Sequence, residues 1–430
     1  MMENSADCAG APALTVKKSA LSKAALFLFM LAPAFAPAEL VSALMLMVVA
    51  VVFVLSGFKA HRGMLALAAP ILLLMAVGVA ASYQSAPYDI FKDVWYTLNP
   101  LLALAIGYLL MHGIKDLRSL FKIIVFAASV ASVLHVSYFI FDPGLIFQPA
   151  DSIRAVAGRG YFITVLAVCV LAACRKAGMK LMPGPIAAFL FLLCFSSIIL
   201  AFSRTLWTSL AIMIIVVLGF LTARNLKKLA VLAVAAAGLF VYVFITPESQ
   251  LAGPGQTLRG KMAHSFKEVM VSDYRKMADI SVNWRGYESF MAIRAYLDGD
   301  GVQHAIGRGF GTLVDLGIYM DLGGEKLRYI PIFHNGYIFV LVKTGVLGLL
   351  LYIYFLARVL LSGKRAVNSP SQDEKLAGRL LIAIGLVLSA TTFVIAGFFN
   401  KSTLIPAVLL LGALASFCRS AGAQPERPSA

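Results

Sequence analysis

The chain has 430 residues, of which 60% are hydrophobic and 13% are charged, and its mean hydropathy is +0.86. A soluble domain cannot bury that much apolar surface, so the composition excludes a soluble protein and predicts a multi-pass membrane protein. The net charge of +16 would suit a nucleic-acid partner, but the basic residues lie mostly in short loops between apolar segments. Membrane orientation explains that pattern, so we expect no nucleic acid as a partner.

Hydropathy predicts an all-α fold, a polytopic bundle of about 12 transmembrane helices. A hydrocarbon core of about 30 Å needs roughly 20 apolar residues per helix. The stretch 185–222 must contain two helices, because one helix at ~1.5 Å per residue would exceed the bilayer thickness. Its one charged spot, Arg204, marks the turn. The predicted spans are 20–36, 38–57, 64–82, 94–112, 119–141, 160–176, 185–203, 206–223, 229–246, 333–360, 377–398 and 403–418.

Lysine and arginine counts in alternate loops orient the bundle. One set of loops, with both termini, holds 21 basic residues, whereas the other set, without the longest loop, holds six. The positive-inside rule therefore predicts cytoplasmic termini and a long loop that faces the periplasm. The predicted order is a cytoplasmic tail at 1–19, helices one to nine at 20–246, the large periplasmic loop at 247–332, the last three helices at 333–418 and a cytoplasmic tail at 419–430.

The first predicted helix has a second interpretation. Basic residues, an apolar run and the motif "APAFAPA" resemble a cleavable signal peptide. The apolar run that follows at once favours retention, and cleavage remains an alternative.

The large loop contains two helical patterns. Apolar residues on one helical face run from Leu258 to Met277 with basic residues among them, which predicts an amphipathic helix on the membrane surface. A second pattern runs from Trp284 to Ala295 and ends in the turn signal "LDGDG". We therefore expect this loop to fold as amphipathic helices.

Three residues on the predicted outer face are candidates for substrate binding and catalysis. Arg204 lies in the turn between the seventh and eighth predicted helices. Arg285 lies in the motif "NWRGYE", and His334 lies at the start of the tenth predicted helix. Two guanidinium groups suit a diphosphate, because each offers a planar fork of N–H donors to phosphate oxygens. A histidine can accept a hydroxyl proton at neutral pH, which an arginine cannot do.

Each of these residues also has a structural alternative. Arg204 could extend to the lipid headgroups, Arg285 could pair with Glu288, and His334 could bond to a backbone carbonyl at the interface. The predicted position of all three on one face favours the functional interpretation.

No metal or other cofactor is predicted. Asp298 and Asp300 have the spacing of a metal-binding pair, but the glycines beside them favour a turn. The cysteines show no CxxC or Cys/His spacing, and the histidines form no ligand cluster. Arg154 and Arg159, in another outer loop, are candidates for holding an anionic head group.

Four motifs together resemble the C-terminal signature of bacterial O-antigen ligases and O-antigen polymerases. They occur in order over about residues 200–355 and read "FSRTLW", "NWRGYESFMAIR", "GRGFGT" and "FHNGYIFVLVKTGVLGLLLY". The resemblance implies a GT-C-like glycosyltransferase of the bacterial inner membrane that takes a glycan from undecaprenyl diphosphate. The acceptor is the lipid A–core oligosaccharide for ligases, a carrier-linked glycan for polymerases and a protein hydroxyl for a related group.

The resemblance also implies the role of each residue in a metal-independent, inverting transfer. Arg204 and Arg285 would bind the diphosphate, and His334 would be the general base that activates the acceptor hydroxyl. The candidate substrate-binding residues are Arg154, Arg159, Arg308, Trp284, Tyr287 and Asn335. Lys343 departs from the family pattern, since an acidic residue is expected there in many relatives. Its side chain either faces lipid or alters the charge of the site.

Length, the helix count and a short C-terminal tail favour the ligase over the polymerase and over a protein-directed transferase. The expected partners are the lipid-linked donor, the lipid A–core acceptor and membrane lipids, and the chain is expected to act as a monomer. A lipid-linked oligosaccharide transporter is the alternative from another class. It should have inverted repeats, or broken helices with charges near the membrane midplane, and the sequence shows neither.

Overall fold

The structure, a computed structural model, describes residues 11–55, 61–220, 271–322, 324–400 and 402–422. It is mainly α-helical, with one two-stranded antiparallel sheet. The helices are α1 (Ala11–Phe35), α2 (Ala38–Leu55), α3 (Arg62–Ala80), α4 (Pro87–Ile114), α5 (Leu117–Phe141), α6 (Ala150–Ala157), α7 (Phe162–Lys176), α8 (Gly184–Leu200), α9 (Arg204–Val217), α10 (Met277–Val282), α11 (Trp284–Leu297), α12 (Gly301–Ile306), α13 (Gly336–Val367), α14 (Gln372–Ile395) and α15 (Ile405–Gly422). The strands are β1 (Val314–Leu322) and β2 (Glu325–Ile330).

A helix occupies every predicted span except 229–246, which lies outside the described residues. Among the described helices, five are long and apolar enough to cross a membrane, namely α3, α4, α5, α13 and α14. The chain is therefore a helical membrane protein. The count of twelve helices and the GT-C-like architecture stay predictions. Helix α1 begins at Ala11, within the predicted N-terminal tail.

The last three helices form the centre of the bundle. Helix α13 packs along α14 and against α3, while α15 packs along α4. An aromatic cluster around Tyr352 joins α13 to the segment that follows α14, where Phe398 and Phe399 are fully buried. Apolar packing of this kind holds the start of α13 and the end of α14 together, which is where His334 lies.

The prediction of an entirely helical loop is wrong for residues 314–330, which form the β1–β2 hairpin. Apolar or aromatic residues alternate with polar ones at 314–316 and 326–329, and the turn contains Gly324 with φ +91°. That pattern suits two half-exposed strands and a tight turn better than a helix. Arg328 donates to both carboxylate oxygens of Asp315, at 2.7 and 2.8 Å, and lowers the pKa of Asp315 to about 2.

The helical patterns in the loop are confirmed in part. Most of the first, 258–270, lies outside the described residues; residues 271–276 are not helical, and α10 begins at Met277. The second is confirmed as α11. The interpretation of "LDGDG" as a turn is also confirmed, because the Asp300 carboxylate caps α12 by accepting the Gln303 N–H at 2.8 Å.

Helix α13 is broken within the bundle. Gly345 has φ 63° and ψ −166°, so the carbonyls just before it lose their helical donors. The glycine-rich stretch 307–311 supplies replacements: Arg308 N–H donates to Val342 O at 2.9 Å, and Gly309 N–H donates to Lys343 O at 3.0 Å. Non-helical backbone at membrane depth requires such partners. The expectation of no broken helix is therefore wrong.

Glycine is required in this stretch by close backbone contact. Gly309 has φ +85°, and a Cβ there would lie 2.5 Å from the carbonyl carbon and oxygen of Ala81, at the end of α3. Gly158 has a similar φ of +83°, but a Cβ there would meet nothing within 4 Å. The two glycines therefore share a positive φ and differ in crowding.

Replacing each glycine by alanine separates these two effects. We expect Gly158→Ala to cost about 1–3 kcal/mol, the strain of a side chain at a φ and ψ that suit essentially only glycine, and Gly309→Ala to cost roughly 1–3 kcal/mol more because the backbone must shift. Thermal unfolding of the purified chain in detergent measures the difference. Equal losses for the two variants would contradict close packing at Gly309.

Candidate active site

His334 is fixed through three of its atoms. Its backbone N–H donates to Glu288 Oε1, and its Nδ1 lies 3.0 Å from Glu288 Oε2. Its carbonyl oxygen accepts the N–H of Ala396 at 2.7 Å, just after α14. The carboxylate of Glu288 is 2% exposed, whereas the imidazole of His334 is 45% exposed. One edge of the ring is therefore held by buried protein, and the rest is open to a substrate.

The carboxylate of Glu288 determines which nitrogen of His334 carries the proton. An ionised carboxylate only accepts hydrogen bonds, so Nδ1 carries the N–H that faces it. Nε2 then has a free lone pair and can accept a proton. A carboxylate in this position also stabilises the imidazolium that forms after proton transfer. The His334 side chain therefore does not fit the structural alternative of a bond to a backbone carbonyl, because its partner is the Glu288 carboxylate.

Arg285 lies on the same helix as Glu288, three residues earlier, and is half-buried. Helix α11 packs against α13 and, through Tyr287, against the hairpin: the Tyr287 hydroxyl donates to Leu316 O at 2.5 Å. Burial raises the pKa of Tyr287. The helix that carries Arg285 is thus fixed on two sides and is linked directly to His334 through Glu288.

Arg204 is the first residue of α9 and follows a strained turn. Phe202 in that turn has φ 46°, and its carbonyl accepts a hydrogen bond of 2.5 Å from the Arg154 guanidinium. Gly160 packs against Leu206, which brings the exposed Arg159 to the same turn. The structure therefore groups three predicted arginines, Arg154, Arg159 and Arg204, around one corner of the bundle.

Helix packing places Arg204 toward the His334 end of the bundle. Helix α9 packs against α14, and Leu218, which follows α9, accepts a hydrogen bond from Lys176. Lys176 also lines a cavity with Lys375, in the first turns of α14. The two helices thus run antiparallel, and the start of α9 lies toward the end of α14. The convergence of Arg204, Arg285 and His334 on one substrate stays a prediction.

The segment that contains these residues matches a known family. Residues 189–353 match the model of the family described as O-antigen ligase. The segment 189–353 is therefore similar to the domain of that family. No curated protein matches the chain. The matched segment includes Arg204, Arg285, Glu288 and His334.

The structure also describes the surroundings of the other predicted substrate-binding residues in the matched segment. Asn335 caps α13, with its side-chain oxygen accepting the N–H groups of Tyr337 and Ile338 at 3.1 and 3.2 Å. The half-buried ring of Trp284 lies 6.4 Å from that of Tyr287. Arg308 has a buried Nε without a hydrogen-bond partner among the described residues. An unpartnered guanidinium N–H suits a substrate oxygen, so Arg308 stays a binding candidate.

Lys343, in the matched segment, does not face lipid, and its charge is paired with a carboxylate. Its side chain is fully buried, and its ammonium donates to Asp93 Oδ2 at 2.6 Å and to Thr312 O at 2.5 Å. The same Asp93 oxygen accepts Gly311 N–H at 2.6 Å. One buried ion pair therefore joins α4, the glycine-rich stretch and α13. Asp93 lies outside the matched segment.

Two residues that hold the candidate site together are not evident from the sequence, namely Glu288 and Asp93. Glu288 was considered only as a partner for Arg285, although it is a lone carboxylate beside Tyr287 on an apolar helix face. Asp93 stood just outside the predicted fourth span, whereas α4 begins at Pro87. An acidic residue inside a membrane helix is a signal of a buried partner.

No group of three or more histidine, cysteine or acidic side chains forms a metal site within the ranges that the structure describes. Asp300 uses its carboxylate to cap α12. The prediction of metal-independent chemistry stays a prediction.

Removing one partner of the buried ion pair should destabilise the fold. Lys343→Met leaves Asp93 buried and unpaired, which costs about 3–5 kcal/mol. Lys364→Met, at an exposed position of the same helix, is the matched control and should change stability little. Thermal unfolding in detergent measures both, and the double variant Lys343→Met/Asp93→Asn should recover part of the loss. No recovery would contradict the pairing.

Proposed function

We propose that the chain is an O-antigen ligase that transfers a glycan from undecaprenyl diphosphate to the lipid A–core oligosaccharide. The proposed location is the periplasmic face of the bacterial inner membrane, with both termini in the cytoplasm, as the distribution of basic residues predicts. The observation that carries the proposal is the exposed His334 imidazole, held by buried Glu288 within the matched O-antigen ligase domain.

In the proposed reaction His334 is the general base. Nε2 accepts the proton of an acceptor hydroxyl while the hydroxyl oxygen forms a bond to the anomeric carbon of the donor. The bond between that carbon and the diphosphate oxygen breaks, and the diphosphate leaves with the electron pair. Direct attack from the opposite side inverts the anomeric centre. Glu288 keeps the proton on Nδ1 and stabilises the imidazolium that forms.

The arginines act on the leaving group in this proposal. Charge develops on the diphosphate as it departs, and Arg204 and Arg285 stabilise it with forked N–H donors. Arg154 and Arg159, at the same corner as Arg204, extend the positive surface along the carrier. Arg308, Trp284, Tyr287 and Asn335 complete the proposed substrate-binding set. Because a diphosphate bound by two guanidinium groups is a good leaving group, the proposed reaction needs no metal.

Two other functions fit some of the observations. An O-antigen polymerase would use the same chemistry with a carrier-linked glycan as acceptor. A lipid-linked oligosaccharide transporter is favoured by the break in α13 at Gly345 and by the buried Lys343–Asp93 pair, features that broken transporter helices share. In this chain, however, the carbonyls freed at the break accept N–H groups of the glycine-rich stretch, and Lys343 pairs with Asp93, so the break is a fixed part of the packing.

The His334→Ala variant tests the base directly. Purified chain is reconstituted with an undecaprenyl-diphosphate glycan and lipid A–core, and the transferred glycan is measured. We expect His334→Ala to lower the transfer rate by roughly 10²–10⁴-fold, the contribution of a general base. The control His304→Ala removes a histidine of the large loop, and this variant should transfer normally.

The same reconstitution separates the competing functions. Transfer to lipid A–core that persists in chelator supports the proposed ligase. Transfer only to a second carrier-linked glycan identifies a polymerase. Movement of the carrier-linked glycan across vesicles without any transfer identifies a transporter. Loss of transfer in chelator, restored by added divalent metal, contradicts the metal-free reaction.

Glu288→Gln tests how the base is oriented. The amide can donate to Nδ1, which moves the proton to Nε2 and removes the acceptor of the hydroxyl proton. We expect kcat to fall by about 100-fold or more with little change in KM. Glu325→Gln, at an exposed position of the hairpin, should leave both unchanged. A Glu288→Gln variant with normal kcat would refute the orienting role.

A further inference from the structure

A basic cavity lies at the end of the bundle opposite His334. It has a volume of about 410 Å³, which suits a small-molecule group, and it forms where α7 ends and α14 begins. Helix α14 has 24 residues, so at ~1.5 Å per residue the cavity is ~36 Å from the end of α14 beside His334. The cavity is therefore separate from the candidate active site. It is lined by Lys176, Ala177, Gln372, Lys375, Leu376 and Arg379.

Positive charge dominates this cavity. Three of the six lining side chains are cations and none is a carboxylate. Lys375 and Arg379 lie one helical turn apart on α14, and Lys176 faces them from the end of α7. None of the three forms an ion pair with a residue that the structure describes. Three cations gathered around a concave surface, with no carboxylate among the described residues that line it, attract an anionic ligand.

The cavity wall is fixed by contacts between helices. The Lys176 ammonium donates to the carbonyl of Leu218, which follows α9. Carbonyls at a helix end lack intrahelical donors, so this bond holds Lys176 between α7 and α9. An ammonium has three N–H donors, and two remain for a ligand. Leu376 is buried beside the cavity and anchors the first turns of α14.

We propose that this cavity binds the phosphate group of an anionic phospholipid. The forked donors of Arg379 and the ammonium groups of Lys176 and Lys375 match phosphate oxygens. The apolar Ala177 and Leu376 stand beside them, as a headgroup joined to a glycerol backbone requires. Basic pockets between transmembrane helices recognise anionic headgroups in this way. The inference does not depend on the proposed transfer reaction.

The test measures lipid binding to the full chain in neutral detergent. Phosphatidylglycerol, phosphatidylcholine of the same chain length and inorganic phosphate are titrated separately, and bound ligand is counted by native mass spectrometry. The cavity variant is Lys375→Gln/Arg379→Gln. The control Lys364→Gln/Arg365→Gln removes the same charges from exposed positions at the same end of the bundle.

We expect phosphatidylglycerol to bind the unmodified chain and the control with equal affinity. The cavity variant should bind it roughly thirtyfold more weakly, about fivefold for each cation removed. If circular dichroism shows that the double variant is misfolded, Lys375→Gln alone should show the fivefold loss.

Three results would overturn the proposal. Equal weakening in the cavity variant and the control would mean that diffuse surface charge binds the lipid. Equal affinity for phosphatidylcholine would mean that the net negative charge of the headgroup is not what the cavity recognises. Tight binding of inorganic phosphate, with no gain from the lipid, would assign the cavity to a free phosphate group.

Discussion

A break in a membrane-spanning helix leaves polar backbone groups that must find partners away from water. In this chain the break is at Gly345 of α13, and the partners come from the glycine-rich stretch 307–311. That stretch can approach closely only because its glycines have no Cβ. The buried Lys343–Asp93 pair then ties the stretch and α13 to α4. The outer part of the bundle depends on this arrangement.

The candidate active site is built on that fixed support. The first half of α13 is locked on one side by the glycine-rich stretch and on the other by α14, so His334 at its mouth has a defined position. Glu288 orients the imidazole from the loop helix α11, and both oxygens of the carboxylate contact His334. The proposed transfer from a diphosphate carrier requires a rigid base and a group of arginines at one substrate, and their convergence stays a prediction.

Hydropathy predicted the long apolar helices well because a bilayer demands long apolar runs, and a helix occupies each predicted span except 229–246, which lies outside the described residues. The order of the motifs likewise pointed to His334, Arg204 and Arg285. The partners of His334 and Lys343 could not be predicted from the sequence. Glu288 is separated from His334 by 46 residues in the chain, and Asp93 is separated from Lys343 by 250. Such pairs arise from tertiary packing. The β1–β2 hairpin was missed because the same loop also contains true helical patterns.

The central claim is that one diphosphate is held between Arg204 and Arg285 with His334 beside the sugar. The most direct measurement is an experimental structure of the full chain with an undecaprenyl-diphosphate sugar bound. The account predicts phosphate oxygens within hydrogen-bond distance of both guanidinium groups, about 2.7–2.9 Å, and the His334 imidazole facing the anomeric carbon with room for an acceptor hydroxyl. A diphosphate bound away from either arginine, or on the face of the bundle opposite His334, would contradict it.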